Sequence, residues 1–232
     1  MLFRVSPLKS LIHLAQSRKI SYGQLKSWYS GLVKKPPPIP PYSHIIQIGD
    51  PVLRVVADNV PNDLIKSSEI QFLIKIMKGV FKRYDCVGLS APQIGISLRV
   101  FITEFNANHL KAFDEAERKT KEMKIFPQTV VINPQLKVTD YTKVIYTEAC
   151  ESVKGYWADV PRYRAVELNG YNENGEKISI NAKGWLARIF QHELDHLDGK
   201  LYTDSMDRKT LTCTCWQVVN ERSGKVEIPF NR

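Results

Sequence analysis

The chain has 232 residues and a formal net charge of +9, from 33 lysines and arginines against 24 aspartates and glutamates. Seven of the basic residues lie within residues 1–49, which contain no acidic residue, so the rest of the chain is nearly neutral. A nearly neutral folded part argues against direct nucleic-acid binding. No apolar segment reaches the roughly 18 residues that a membrane-spanning helix needs, whereas the length suffices for a domain with a sizeable core.

The acid-free start of the chain has the composition of a mitochondrial transit peptide, because apolar residues and serines are interleaved there with arginine and lysine. We therefore predict a leader over residues 1–35 that directs the protein to the mitochondrial matrix. The alternative is a basic tail without that role. The proline-rich residues 36–43 predict a stiff, extended linker, and the catalytic domain is expected over residues 44–232.

The first long helix of the domain is predicted to begin near Ser68, where Ser68 and Gln71 could form a capping box. Apolar residues then recur at steps of three and four up to Tyr84, which is typical of a helix packed on a core. The helix leads into residues 85–95, where small residues would let the backbone approach a ligand closely. Gln93 offers a neutral amide donor there, although an ordinary connector with a solvated glutamine would have the same composition.

Four strands are predicted in the middle of the chain, at residues 98–103, 129–132, 165–171 and 177–182. The last two are joined through Asn174-Gly175, which is typical of a tight hairpin turn. Residues 106–125 are rich in charge and predict a solvated excursion with one short helix. Strands that cluster before a late helix favour an α+β fold with antiparallel sheets around that helix, rather than an array of βαβ units.

Four cysteines are scattered along the chain without a Cys-x-x-Cys pair, which argues against a zinc ribbon. Cys213 and Cys215 alternate within residues 211–219, a strand-like segment, and are expected to be buried thiols on one face. Cys150 lies instead among polar residues, which is unusual for a cysteine that serves only to fill a core.

The late helix carries the sequence His-Glu-x-x-His at residues 192–196. Because residues four apart lie on one face of a helix, His192 and His196 can bind the same ion. Glu193 is displaced from that pair and is suited to handling a proton near the ion. Two histidines on an ordinary solvated helix would have the same spacing, so a third ligand decides between the two interpretations.

No histidine follows His196, and Tyr202 stands where a metzincin protease would have its third histidine. Asp198 and Asp204 are candidate ligands downstream, and Cys150 is the candidate upstream. A thiolate with two imidazoles leaves the fourth tetrahedral position open, as in a catalytic zinc site.

Three segments of the chain resemble the three motifs of peptide deformylases, in the same order: Gly88–Gln93, Glu148–Ser152 and Gln191–His196. The similarity extends from about His44 to about Asp207. The predicted leader favours the mitochondrial branch, and the animal members of that branch resemble this chain at Glu151. The resemblance implies a metal-dependent hydrolase that removes the N-formyl group from the initiator methionine of new mitochondrial polypeptides and releases formate.

The resemblance also implies the composition of the site. Cys150, His192 and His196 would bind one divalent metal ion, most commonly Fe(II), with Zn(II) or Co(II) as alternatives. The remaining roles would be proton transfer by Glu193, oxyanion binding by the Gln93 side chain and the Glu151 backbone N–H, substrate binding by Gly88, Val87 and Leu89, and a structural ion pair between Asp85 and Arg162. The substrates would be N-formylmethionyl nascent peptides, and the family resemblance suggests a homodimer.

Three positions depart from the family pattern. Glycine is common in the family at the positions of Cys86 and Ala149, and leucine at that of Glu151. If the backbone at Ala149 needed a positive φ, the alanine would be strained by about 1 kcal/mol or more. A zincin-type metalloprotease, a formyl-methionine binding module with little turnover and a metal-stabilised structural domain are therefore alternatives.

Overall fold

The computed structural model describes residues 38–230. The leader predicted over residues 1–35 and the first two residues of the predicted linker lie outside the described residues. Tyr42, near the end of the predicted linker, already packs on the domain: its backbone N–H donates to the carbonyl of Ile94 at 2.9 Å, and its ring stacks on His44.

One antiparallel sheet organises the described part of the chain, with strands in the order β1-β2-β3-β4-β5 and a sixth strand paired to β4. The strands are β1 Gly88–Ser90, β2 Val100–Phe105, β3 Phe126–Ala149, β4 Tyr156–Tyr171, β5 Lys177–Lys183 and β6 Thr212–Cys213. The helices are α1 Ser68–Tyr84, α2 Ala107–Lys111, α3 Glu115–Thr120, α4 Trp185–Leu197 and α5 Trp216–Glu221. The α+β prediction is confirmed.

The long strands β3 and β4 form a hairpin whose register runs from Ile132 opposite Tyr171 to Ala149 opposite Trp157. The Asn174-Gly175 turn joins β4 to β5, as predicted, with Gly175 at φ +75°. Residues of the second deformylase-like motif thus stand at the end of β3, where the hairpin turns back towards β4.

Helix α1 begins at Ser68, but its cap differs from the prediction. The Ser67 hydroxyl, not that of Ser68, accepts the N–H of Ile70. Gln71 does not reach back to the cap, because its amide donates to the carbonyls of Ile65 and Glu173 instead. The predicted apolar stripe from Ile70 to Tyr84 is buried in the core that α1 shares with β1 and β2.

Helix α4 is enclosed by the sheet and by the segments around it. Phe190, Ala187 and Leu197 are fully buried against Phe101 and Val131 of the sheet. The same helix also buries polar side chains: Arg188, Gln191, Glu193 and His196. Burying a polar group is costly unless it is hydrogen-bonded, so these residues indicate where the polar contacts of the interior lie.

Two other local predictions differ from the structure. Residues 106–125 contain two short helices rather than one, and Phe113, between them, packs on Trp185. The segment around Cys213 and Cys215 is not a continuous strand: β6 has two residues, and α5 begins one residue after Cys215. Among residues 38–230, no helix is long and apolar enough to span a membrane.

Candidate metal centre

Three side chains with metal-binding atoms converge between the end of β3 and helix α4. One donor atom from each of Cys150, His192 and His196 lies within 4.8 Å of the others. The Cys150 Sγ is 3.3 Å from His196 Nε2. Two ligands of one tetrahedral ion at bond lengths of about 2.0–2.3 Å would be about 3.5 Å apart, so this donor set fits a divalent ion.

The two downstream carboxylates considered as ligands are engaged elsewhere. Asp198 pairs with Arg99 at 2.9 Å, and Asp204 pairs with Arg54. Within the described residues, the upstream cysteine is therefore the third member of the group.

Gln93 is held with its amide N–H₂ towards the cysteine. Its Oε1 accepts the backbone N–H of Ser90 at 2.8 Å, which leaves Nε2 at 3.5 Å from Cys150 Sγ and 3.2 Å from Ser152 Oγ. The side chain is only 3% exposed, so the alternative of a solvated glutamine is wrong. A short 3₁₀ turn, Ala91–Ile94, positions it.

Glu193 is buried on α4, next to the ligand pair. The hydroxyl of Ser90 donates to its Oε2 at 2.5 Å. Burial raises the pKa of the Glu193 carboxyl to about 6. A carboxyl group with this pKa can accept and return a proton near neutral pH.

Gly88 lies directly against that carboxylate. A Cβ added at Gly88 would lie 2.1 Å from Glu193 Oε1, so only glycine allows this approach. Gly88 also belongs to β1, which pairs on one side with β2 and is the edge strand of the described sheet. Its other edge can pair with an extended peptide.

Glu148 forms the charged support of the centre, a role that the sequence pattern did not indicate. Its Oε2 accepts from His192 Nδ1 at 3.0 Å, which leaves Nε2 of that imidazole for an ion. Its two oxygens also accept Nε and Nη2 of Arg162 at 2.9 Å each, and Oε1 accepts Nη1 of Arg188 at 2.6 Å. Burial alone would raise the pKa of Glu148, but the hydrogen bonds from His192 and Arg162 outweigh burial and hold that pKa far below its usual range.

The predicted ion pair between Asp85 and Arg162 is wrong. Arg162 is buried and pairs with Glu148 and with Asp195, the latter at 2.5 Å. Asp85 is at the exposed end of α1, where its carboxylate lies 3.2 Å from His109 Nε2. The partner of Arg162 is Glu148, which belongs to the same motif as Cys150. Glu148 lies on β3, next to the strand β4 that carries Arg162.

Two further expectations about the motif residues need correction. Ala149 does not have a positive φ; it continues β3 and pairs with Trp157, so the strain considered above does not arise. Leu89 is fully buried in the core of α1 rather than in the cleft, because side chains on a strand alternate between faces. Glu151 begins a 3₁₀ turn, and its carboxylate pairs with Lys154 at 2.5 Å.

A cleft of about 450 Å³ leads to the converging side chains. Residues of β1 and the segment before it form one wall, and residues 147–151 with 154–156 form the other. Val87, Trp185 and Ile189 supply apolar surface close to His192 and Glu193. The cleft can therefore accept an extended chain with an apolar side chain near Cys150, His192 and His196.

Comparisons with known proteins agree with this geometry. The family model for polypeptide deformylase matches residues 42–211. The chain is 44% identical over 185 residues to the mitochondrial peptide deformylase of Homo sapiens, covering 80% of this chain and 76% of that protein. It is 38% identical over 202 residues to the chloroplastic/mitochondrial peptide deformylase 1A of Arabidopsis thaliana, covering 87% and 75%. A solved peptide deformylase from Synechococcus elongatus, in complex with actinonin, matches with a TM-score of 0.60 and 29% identity, covering 84% of this chain and 90% of that one.

Proposed function

This chain belongs to the polypeptide deformylase family of metal-dependent hydrolases that deformylate nascent polypeptides, and we propose that it acts on N-formylmethionyl peptides through the cleft described above. The observation that carries the proposal is the convergence of Cys150, His192 and His196 with the Gln93 amide and the Glu193 carboxylate. Cys150, His192 and His196 would hold the metal ion. When bound, the ion supplies a Lewis acid that makes water more acidic and polarises a carbonyl group.

The substrate peptide would lie along the open edge of β1. Gly88 would pair its backbone with the peptide, as in strand addition to a sheet edge. Val87, with the apolar residues of α4 that line the cleft, would hold the methionine side chain. Because the Leu89 side chain is buried in the core, only the backbone of Leu89 would contribute to substrate binding.

Proton transfer would be the task of Glu193. Its raised pKa, about 6, suits a group that takes a proton from the attacking water and then gives it to the leaving amine. Ser90 holds the carboxylate in place through its hydroxyl. General acid–base catalysis of this kind typically contributes about 10²–10⁴-fold.

The negative charge that develops on the formyl oxygen would be held by two donors. One is the Gln93 N–H₂, which the Ser90 backbone orients towards Cys150. The other is the backbone N–H of Glu151, whose side chain is turned to Lys154. One such donor is worth roughly 2.7–4 kcal/mol in a comparable hole.

The metal ion would be Fe(II), with Zn(II) or Co(II) able to take its place. A thiolate with two imidazoles suits all three ions, so the donor set is compatible with each. Metal analysis of protein purified anaerobically from its own source would decide the identity, and a predominance of zinc would contradict the Fe(II) assignment.

The mitochondrial relatives support a mitochondrial location for this chain. We propose that residues 1–35 direct it to the matrix, where new polypeptides carry formyl-methionine, and that residues 36–43 link this leader to the catalytic domain. A homodimer, expected from the family resemblance, completes the proposal. Imaging of a fusion with and without residues 1–35 tests the location, and sedimentation tests the dimer.

The decisive experiment measures formate release from a formyl-methionyl tripeptide by the full chain loaded anaerobically with Fe(II). Release is expected from the parent, with a drop of about 10²–10⁴-fold in Glu193→Gln at unchanged metal content. Glu173→Gln, a change at a partly exposed ion pair outside the cleft, is the matched control and should retain activity.

Cys150→Ser separates the alternatives. A deformylase would lose metal and activity, whereas a zincin-type protease with a third ligand elsewhere would keep both. A folded, metal-loaded parent that binds the peptide without releasing formate would support the binding module and contradict the proposal.

A further inference from the structure

Two thiols meet outside the metal centre. The Sγ atoms of Cys213 and Cys215 are 3.5 Å apart, and both residues are partly exposed. The hydrogen bond with Cys213 raises the pKa of Cys215. The thiols are therefore close enough to interact directly and open to small molecules in solvent.

The backbone brings the two sulfurs together. In a continuous strand, residues i and i+2 stand on one face about 6.6–6.8 Å apart along the chain. Here β6 ends at Cys213, and Cys215 has φ −115° and ψ 17°, which is not extended. The chain bends between the two cysteines into α5, and their side chains converge at the bend.

The residue between the cysteines belongs to the wall of the cleft. Thr214 lines the cleft together with Gly155 and Tyr156. Its backbone N–H donates to the carbonyl of Gly155 at 2.8 Å, and Cys213 pairs with Tyr156 across β6 and β4. Movement of the cysteine pair would therefore be passed to the cleft wall through one hydrogen bond and one strand pair.

We propose that Cys213 and Cys215 form a reversible dithiol site that closes into an intrachain disulfide by exchange with small-molecule disulfides such as oxidised glutathione. One cysteine thiolate attacks the glutathione disulfide, forms a mixed disulfide and releases one glutathione thiolate. The second cysteine thiolate attacks the protein sulfur of that mixed disulfide and releases the other glutathione. The two protons lost by the cysteines pass to the two glutathione thiolates, so one protein dithiol is oxidised and one glutathione disulfide is reduced.

The geometry favours this pair over the other two cysteines. An S–S bond of about 2.05 Å requires the sulfurs to approach by about 1.5 Å, which the exposed segment between β6 and α5 can accommodate. Cys86 and Cys150 are buried, and Cys150 faces His196 and Gln93. Reversible dithiols of this kind act as redox sensors in reducing compartments, where structural disulfides are rare.

The test uses the full chain loaded with Zn(II), which has no redox chemistry of its own. The protein is equilibrated at a series of ratios of reduced to oxidised glutathione, quenched in acid, denatured and alkylated. Intact mass and peptide mapping then count the free thiols. The parent is expected to lose two of its four alkylatable thiols without gaining glutathione. At a fixed concentration of oxidised glutathione, the ratio of disulfide to dithiol protein should fall with the square of the reduced glutathione concentration.

Cys213→Ser and Cys215→Ser are the matched variants, since serine keeps the shape of the side chain. Each should stop at a single glutathione adduct, because no second thiol is present to displace it. A parent that keeps both thiols under oxidising ratios, that carries two glutathione adducts, or that forms a disulfide involving Cys86 or Cys150 would overturn the proposal.

A second readout, which rests on the proposed deformylase function, tests the link to the cleft. The oxidised parent is expected to show a higher KM for a formyl-methionyl tripeptide with kcat retained, because the distorted wall binds the peptide but takes no part in the chemistry. The Cys213→Ser variant cannot form the disulfide. Once its glutathione adduct is removed, its KM should therefore equal that of the reduced parent. An unchanged KM in the oxidised parent would refute the link, while the thiol count stands independently of enzyme activity.

Discussion

Glu148→Gln removes the carboxylate that supports the proposed metal centre and leaves Cys150, His192 and His196 unchanged. The carboxylate receives four hydrogen bonds: two from Arg162, one from Arg188 and one from His192. A glutamine has the same shape but offers one oxygen and one N–H₂ group. Whichever way the amide turns, two of the four donors face another donor.

The expected loss of zinc affinity and stability depends on which of the four donors lose their acceptor. If the amide nitrogen takes the Oε2 position, His192 loses the hydrogen bond that fixes its ring, and loss of such a support typically weakens metal binding 10–100-fold. That corresponds to about 1.4–2.8 kcal/mol. Two buried guanidinium groups also lose their carboxylate, which costs about 3–5 kcal/mol when a buried pair is broken. Because Asp195 still pairs with Arg162, we expect the lower end of that range.

The assay is a competition titration of Zn(II) between the protein and a chromophoric chelator, combined with thermal unfolding of the metal-free and metal-loaded forms. Glu173→Gln is the matched control, since its pair with Lys78 is partly exposed and lies away from the metal centre, and such pairs are typically worth about 1 kcal/mol or less. If Glu148→Gln bound zinc as tightly as the parent and also unfolded at the same temperature, the carboxylate would neither orient His192 nor stabilise the two guanidinium groups, and the reasoning would be refuted.

Three further predictions concern the same site and its surroundings. Gly88→Ala should lower kcat by about 10²-fold or more at unchanged metal content, because the added Cβ would displace the Glu193 carboxylate; unchanged kinetics would contradict this close contact. Removing the metal with a chelator should lower the melting temperature, since a ligand at about 1,000 times its Kd adds about 4.1 kcal/mol to the native state; equal melting curves would argue against a folded-state metal site. Asp204→Asn should destabilise the protein at pH 7 but not in acid. Burial opposes ionisation of Asp204, but the hydrogen bonds from Arg54 and Leu201 outweigh burial and lower its pKa. The ionised carboxylate therefore stabilises the fold above the unfolded pKa of about 3.9, and this stabilisation is lost as the pH falls through the lower folded pKa. Urea titrations at pH 7 and pH 3 check this, and a difference as large at pH 3 as at pH 7 would contradict it.

The two histidines of the candidate metal site could be predicted because their positions follow from local rules. His192 and His196 are four residues apart on one helix, so their common face does not depend on the rest of the fold. The fold class could be predicted for a similar reason, since the Asn174-Gly175 turn and the clustered strands are local signals. Cys150 needed more than spacing, and its polar neighbours supplied the signal.

The charged support could not be predicted because it depends on strand register and helix rotation. Glu148 and Arg162 are on adjacent strands, and Arg188 reaches the same carboxylate from α4. A register shift of one residue would turn every side chain of β4 to the other face. Asp85 was paired with Arg162 only because the family resemblance implied it, and the structure places Asp85 at the exposed end of α1, beside His109.

Cys213 and Cys215 show where an alternating sequence pattern fails to predict a strand. Residues 211–219 alternate like a strand, but β6 has only two residues, and the chain leaves the extended conformation at Cys215, which has φ −115° and ψ 17°. A period of two describes which side chains share a face only while the backbone stays extended. The contact between Cys213 and Cys215 therefore depends on where the strand ends, which the alternation does not specify.

Helix α4 is fixed in rotation by polar contacts rather than by its apolar face alone. The Gln191 amide pairs with both the N–H and the carbonyl of Tyr163, at 2.9 and 2.8 Å, as a strand neighbour would. One turn earlier, Arg188 donates to the carbonyls of Val144 and Val160. An apolar helix face tolerates small rotations with modest loss of contact, whereas hydrogen bonds weaken steeply as their geometry departs from the optimum. His192, His196 and the proposed general base Glu193 lie on this helix and need positions accurate to about 0.5 Å, and these buried polar contacts account for that accuracy.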